Sequence, residues 1–260
     1  MNLFNSTLPI RLVILALFIG LTGCASFKPM ALNSSSQTVD VSSKSVLLMT
    51  LDVFRSDSSR YAPNPLFVSF EKLNTSDKSE IQRFKLKNAD STESKSGRDI
   101  YVLSMDLEPG QYKLNGISGD ANAFPFHGFF FVPLHMDIQI KKNSVTYVGR
   151  VKAELRPRQG NEFRAGSVIP LIDQSVTGVS SGTFDVAVED FSQEDISFFR
   201  ITYPALGNTK IDTSILPPFD RSEVQIWWEN NYKSDAKISV KQVSTPSTGV
   251  PPVDIAVKAQ

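Results

Sequence analysis

Two histidines and a run of acids hold most of the reactive capacity of this 260-residue chain. His127 and His135 stand eight residues apart, an even spacing that would set both on one strand face, with Asp137 close by. A transition-metal site wants about three or four such ligands in defined geometry. Neither His-x-His nor His-Glu-x-x-His occurs, so two partly buried or edge histidines are expected, and no metal. Asp185, Glu189, Asp190, Glu194 and Asp195 crowd a short region without an Asp-x-Asp-x-Asp-Gly loop. They are expected at solvent-facing strand positions and at a helix start. Gly178-Val179-Ser180-Ser181-Gly182 fits the letter of Gly-x-Ser-x-Gly. A nucleophile elbow needs a strand before it and a helix after it. Here a strand-like run, Thr183–Glu189, follows, and no histidine lies downstream of Ser180, so a Gly/Ser loop is expected. No catalytic residue and no cofactor are expected. The alternative is a metal-dependent or hydrolytic enzyme that uses His127, His135 and nearby acids.

Aromatic residues are the other resource, with eighteen phenylalanines. Phe124–Leu134 is the most hydrophobic stretch beyond the first thirty residues and carries Phe129 and Phe131. Trp227 and Trp228 precede Asn230, Asn231 and Tyr232. Phe129, Phe131, Trp227, Trp228 and Tyr232 form the candidate binding surface for a partner, since adjacent strand residues face opposite sides and at most one tryptophan can be core. The phenylalanine content also raises a second alternative, a carrier of an apolar ligand in an enclosed cavity.

The elements that would position these residues read as strands. Val46–Phe54, Leu66–Leu73, Ile81–Leu86 and Ile100–Leu107 are β-rich. In the last of these, Tyr101, Leu103, Met105 and Leu107 share the expected core face, with Ile100, Val102, Ser104 and Asp106 opposite. Pro109-Gly110 carries a β-turn signal between adjacent strands. Met136–Ile140 and Val145–Leu155, joined at Lys141–Ser144, read as a hairpin. Val168–Ile172 and Thr183–Glu189 are further strands. Phe191–Ile201 reads as a helix with Ser192 as N-cap, acids in its first turn, and Ile196, Phe199 and Tyr203 packed on a sheet. Ser222–Tyr232 is ambiguous, with Val224, Ile226 and Trp228 alternating as in a strand, and Lys237–Val243 alternates cleanly. The expected fold is mainly β, an antiparallel β-sandwich with one or two short helices. It spans residues 45–243 as one domain or two subdomains, followed by a disordered tail over residues 244–260.

The N-terminus carries the most specific motif. Arg11 precedes a run of about ten apolar residues, Leu12–Leu21, too short at about 1.5 Å per residue to cross a bilayer comfortably. It suits the apolar core of a secretory signal. Small residues and the sole cysteine follow: Leu21-Thr22-Gly23-Cys24. This string resembles the processing signal of bacterial lipoproteins. The resemblance implies cleavage of residues 1–23 as a signal peptide, a diacylglycerol thioether on Cys24 and acylation, as with palmitate, of the new amine. Two or three acyl chains hold a protein stably where one does not. Ala25 in place of Asp implies, within the same family, an outer-membrane protein facing the periplasm in a two-membrane cell. Residues 24–44, with Asn33-Ser34-Ser35-Ser36, read as a lipidated flexible tether. Further on, Leu107-Glu108-Pro109-Gly110-Gln111-Tyr112-Lys113-Leu114 is similar to the turn of prealbumin-like and carboxypeptidase-regulatory-like β-sandwiches, which implies a sandwich and no particular activity.

Charge narrows the partners. Basic and acidic residues balance at 27 each, and losing Arg11 with the leader leaves a slight acidic excess. Nothing in this composition favours nucleic acid or a polybasic membrane anchor. With Cys24 acylated no thiol remains, so a disulfide-free hydrophobic core must hold the fold. The expected function is therefore that of a lipid-anchored envelope lipoprotein with a binding or structural role. Its partners are the membrane, through Cys24, and an envelope protein.

Overall fold

The computed structural model describes residues 27–57, 59–74, 81–86, 91–93, 99–168 and 174–231. Eleven strands among them form two mixed sheets, not closed into a barrel, and the expected β-sandwich is the fold adopted. Sheet I has the order β1 (Phe27–Lys28), β4 (Ile81–Lys85), β3 (Pro63–Lys72), β7 (Gly110–Ala123), β8 (Phe126–Ile140). Sheet II has the order β10 (Gly182–Glu189), β9 (Val145–Pro157), β2 (Ser45–Phe54), β6 (Asp99–Leu107), β5 (Ser91–Glu93), and the short β11 (Asp212–Thr213) joins β9 beyond the end of β10. Most pairs are antiparallel, but β2 runs parallel to β9 from Val46↔Val145 to Phe54↔Glu154, and β1 runs parallel to β4.

Alternation sets the core. Leu47, Met49, Leu51 and Val53 of β2 meet Tyr101, Leu103, Met105 and Leu107 of β6 between the sheets, so the β6 core face lies where periodicity placed it. From sheet I the same core receives Val68, Phe70, Phe84, Tyr112, Leu114, Phe130 and Val132. Close packing leaves no room for a side chain at Gly119, where a Cβ would lie 2.3 Å from both the Asn64 carbonyl and the Phe130 ring. The opposite face of sheet II is buried too. Val46, Leu48, Val102, Val145 and Tyr147 lie beneath Phe199 of helix α1 (Ser192–Thr202), Tyr203 just after it, and Leu206. Asp190 accepts a bond from the Ser192 amide at 2.9 Å, so the turn is held by the acid two residues before Ser192 rather than by Ser192 as N-cap. Among the described residues no helix is long and apolar enough to cross a membrane.

Four expectations change. Met136–Ile140 and Val145–Leu155 are not a hairpin, because β8 and β9 lie in different sheets. β9 is buried on both faces and has β2 along one edge and β10 with β11 along the other, which leaves no edge for β8. For the same reason Glu108-Pro109 is a step from sheet II to sheet I, not a turn within one sheet. The stretch read as a tether is docked from residue 27 onward. Phe27 and Lys28 pair with Arg83 and Phe84, Met30 and Leu32 are buried, and the Ala31 amide donates to the Ser104 carbonyl at 2.6 Å. Its apolar residues are few, but each falls where a sheet face or edge needs cover.

The fourth change concerns Ser222–Tyr232. Residues 221–231 form helix α2, not a strand. Asp220 accepts from the amides of Ser222 at 2.9 Å and Glu223 at 3.0 Å, a side-chain cap that satisfies two of the amides a helix start leaves open. Val224 and Trp228, one turn apart, pack on the inter-sheet core, while Ile226 is 62% exposed. The leader, Cys24, Ile169–Ile172, Tyr232, Lys237–Val243 and the tail from residue 244 lie outside the described residues.

Candidate functional site

The two histidines do not converge. Both lie on β8, eight residues apart and roughly 25 Å along the strand. His127 is exposed at the start of the strand, and its cross-strand partner is Asn122. His135 sits in a bulge, where Leu134 and His135 together stand opposite Asn115, and takes φ 50°. Its ring lies 4.3 Å from the Trp227 ring, and its Nε2 is buried without a hydrogen-bond partner. Burial, with Lys113 nearby, pulls the imidazole down to about 4, so it is neutral near pH 7. The ring, tilted 45° to Trp227, packs against α2.

The acids separate in the same way. Asp185 pairs with Arg156 at 2.5 Å and Arg221 at 3.0 Å, Glu189 pairs with Lys152 at 2.6 Å, and Asp195 on the buried side of α1 pairs with Arg150. Among the described residues no three or more His, Cys, Asp or Glu side chains are grouped to hold a metal ion. The Gly178–Gly182 loop opens directly into β10, with Ser180 buried and its carbonyl accepting from Arg164 at 2.7 Å.

What the sequence did not reveal is the clasp around α2. Arg156 of β9 reaches Glu162 at 2.7 Å, and Arg221 at the start of α2 reaches the same carboxylate at 2.8 Å. Arg221 also donates to the Phe184 carbonyl at 2.9 Å. The Arg156 guanidinium holds Glu162 down to about 2. Trp227 then lies 6.0 Å from Phe131 and 4.3 Å from His135, and Trp228 lies 5.6 Å beneath the Arg158 guanidinium. Both tryptophans are half-buried and pack α2 against its neighbours. Beside the helix lies a groove of about 550 Å³ lined by Gln159, Asn161, Glu162, Gln225, Ile226 and Glu229, open to solvent where a carrier needs an enclosed cavity.

The phenylalanines divide. Phe130 is core, Phe131 is half-buried under Trp227, and Phe129 is 62% exposed. Phe124, at the tip of the β7–β8 hairpin, is 90% exposed. At the other edge of sheet I, Phe27 is 51% exposed and touches Phe67 edge-on at 5.2 Å. Register places Phe27 beside Arg83, and Phe67 beside Lys85 and Ser118. Sheet I thus presents an outer face with aromatic groups at both edges, whereas the outer face of sheet II is covered by α1. Comparison with known protein families, curated proteins and solved structures finds no match to this chain.

Proposed function

We propose that this chain is a lipid-anchored envelope lipoprotein with a binding or structural role and no catalytic one. The observation that carries the reading is Leu21-Thr22-Gly23-Cys24 at the end of a short apolar run, with the only cysteine of the chain at the modifiable position. The anchor is the acylated Cys24, and Ala25 at the next position favours the outer membrane, facing the periplasm, in a two-membrane cell. The exposed Phe129 and Phe124, at the β8 edge and hairpin tip, supply the apolar surface for an envelope protein partner. The test is Cys24→Ser in intact cells. Expected are loss of palmitate labelling, accumulation of the unprocessed chain and release from the membrane fraction on carbonate washing of spheroplasts. Unchanged labelling and fractionation of the variant overturns the reading. Crosslinking from residue 129 then identifies the partner.

A further inference from the structure

Anchoring at Cys24 leaves almost no slack. Phe27, the first residue of β1, is three residues from Cys24, and a fully extended chain covers about 3.5 Å per residue. The β1 edge of sheet I therefore lies within about 10 Å of the acylated sulfur. What this edge presents suits a headgroup layer. The outer-face side chains at the corner of β1, β4 and β3 are Phe27, Phe67, Ser69, Glu71, Ile81, Arg83 and Lys85, with Glu71 the single acid among them; Phe27 is 51% and Ile81 38% exposed. β1 and β4 carry Lys28, Arg83 and Lys85 and no acid. Lys28 lays its stem along the sheet edge, with its ammonium 2.8 Å from Gln82 and 5.8 Å from the Phe84 ring centre. Aromatic and aliphatic groups interleaved with cations are the chemistry of an interfacial contact with anionic lipid.

Resting on the anchor reading, we infer that the β1–β4–β3 corner of sheet I is a bilayer-contact surface: Phe27, Phe67 and Ile81 enter the headgroup layer, and Arg83 and Lys85 meet lipid phosphates. The domain then stands with this corner down and α1 on the far side of both sheets. Sheet spacing of about 10 Å, with a helix layer of about 10 Å beyond sheet II, keeps α1 clear of the lipid. The β8 edge, four strand spacings or about 19 Å away across sheet I, carries Phe129 toward a partner.

Acylation blocks the only native thiol, so single cysteines can be placed at will. Ile81→Cys and Ile201→Cys, the latter on the exposed side of α1 at 77% exposure, each take a fluorescent label in the full acylated chain. The labelled proteins are reconstituted in vesicles of phosphatidylethanolamine with a minority of phosphatidylglycerol and headgroup-spin-labelled lipid. Expected is quenching several-fold stronger at residue 81 than at residue 201, reduced when Arg83→Glu and Lys85→Glu are combined. Mass spectrometry of each preparation reports the acyl group. Acyl group present with equal quenching at both sites overturns the inference and leaves the anchor reading standing. Absence of the acyl group from protein made in a bacterial host overturns the anchor reading and the inference with it. Quenching at residue 81 that ignores the charge reversal removes Arg83 and Lys85 from the contact. A residue 81 shielded in whole envelopes yet unquenched in protein-free vesicles assigns the corner to a protein and overturns the lipid.

Discussion

Tyr147 of β9 donates its hydroxyl to the Asp195 carboxylate of α1 at 2.5 Å, joining the helix to the outer face of sheet II. Arg150, on the same strand, grips the same carboxylate through Nη2, with its Nε 3.3 Å from Oδ2. All three groups are buried. Burial, reinforced by the facing carboxylate, keeps the Tyr147 phenol above its usual pKa, so it remains a donor. Asp195→Ala leaves the Arg150 guanidinium with only Glu194 at 3.8 Å and the Phe191 ring, and is expected to cost about 3 kcal/mol. Urea unfolding reads this directly, and Asp195→Asn, which keeps a hydrogen-bonding group, should lose less.

His135 makes stability depend on pH. Its folded pKa, depressed to about 4 by burial, lies below the unfolded value near 6.5. Between these values the unfolded chain binds the extra proton, so stability falls as pH falls from 6.5 toward 4 and levels off below. Discounted for the partial solvent contact of the ring, the loss is on the order of 1–2 kcal/mol. Melting curves across that window should show it. His135→Phe should flatten that part of the profile.

Glu162 also loses its contribution on acidification, but at lower pH. Paired with Arg156 and Arg221, it stays ionised down to about 2, so its contribution is complete above its unfolded pKa and fades as pH falls toward 2. Both tryptophans of the chain are on α2, so intrinsic fluorescence reports on that helix alone. Glu162→Gln is expected to loosen α2, shift tryptophan emission to the red and lower stability by about 1 kcal/mol. An unchanged spectrum would show that Trp227 and Trp228 hold the helix without the ionic clasp.

Gly119→Ala places a methyl group 2.3 Å from the Asn64 carbonyl, which belongs to the paired strand β3 and cannot turn aside. Overpacking of this kind is expected to cost about 1–3 kcal/mol. Gly160→Ala, where a Cβ meets nothing within 4 Å although φ is 54°, serves as the comparison without a clash. Thermal unfolding of the pair separates collision from backbone strain.

Much of the sandwich was legible in the sequence, because alternation over β6 dictates which side of the strand is dry. The α1 core positions were legible for the same reason, with Phe199 and Tyr203 landing on the sheet. Connectivity was not. Short links at Glu108-Pro109 and at Lys141–Ser144 suit a hairpin or a step between sheets equally well, and the choice rests on partners far away in the chain. At α2, Val224, Ile226 and Trp228 mimic strand alternation, yet Asp220 followed by Glu223 after two prolines is a helix-start signal. Of the candidate surface, Phe129 is 62% exposed, whereas Trp227 faces Phe131 and His135. The basic and aromatic corner went unread because Phe27, Phe67 and Arg83 are scattered in sequence and meet only through strand pairing.

The parallel pairing of β2 with β9 bears on how the chain acquires its fold. β2 is central in sheet II, but neither neighbour, β6 or β9, is its neighbour in sequence, and Val46 must find Val145. No fragment that ends before β9 can close this sheet, and loop closure over that span must precede any gain from pairing. Sheet II can therefore close only once the chain extends through β9, and until then β2 has no partner but β6.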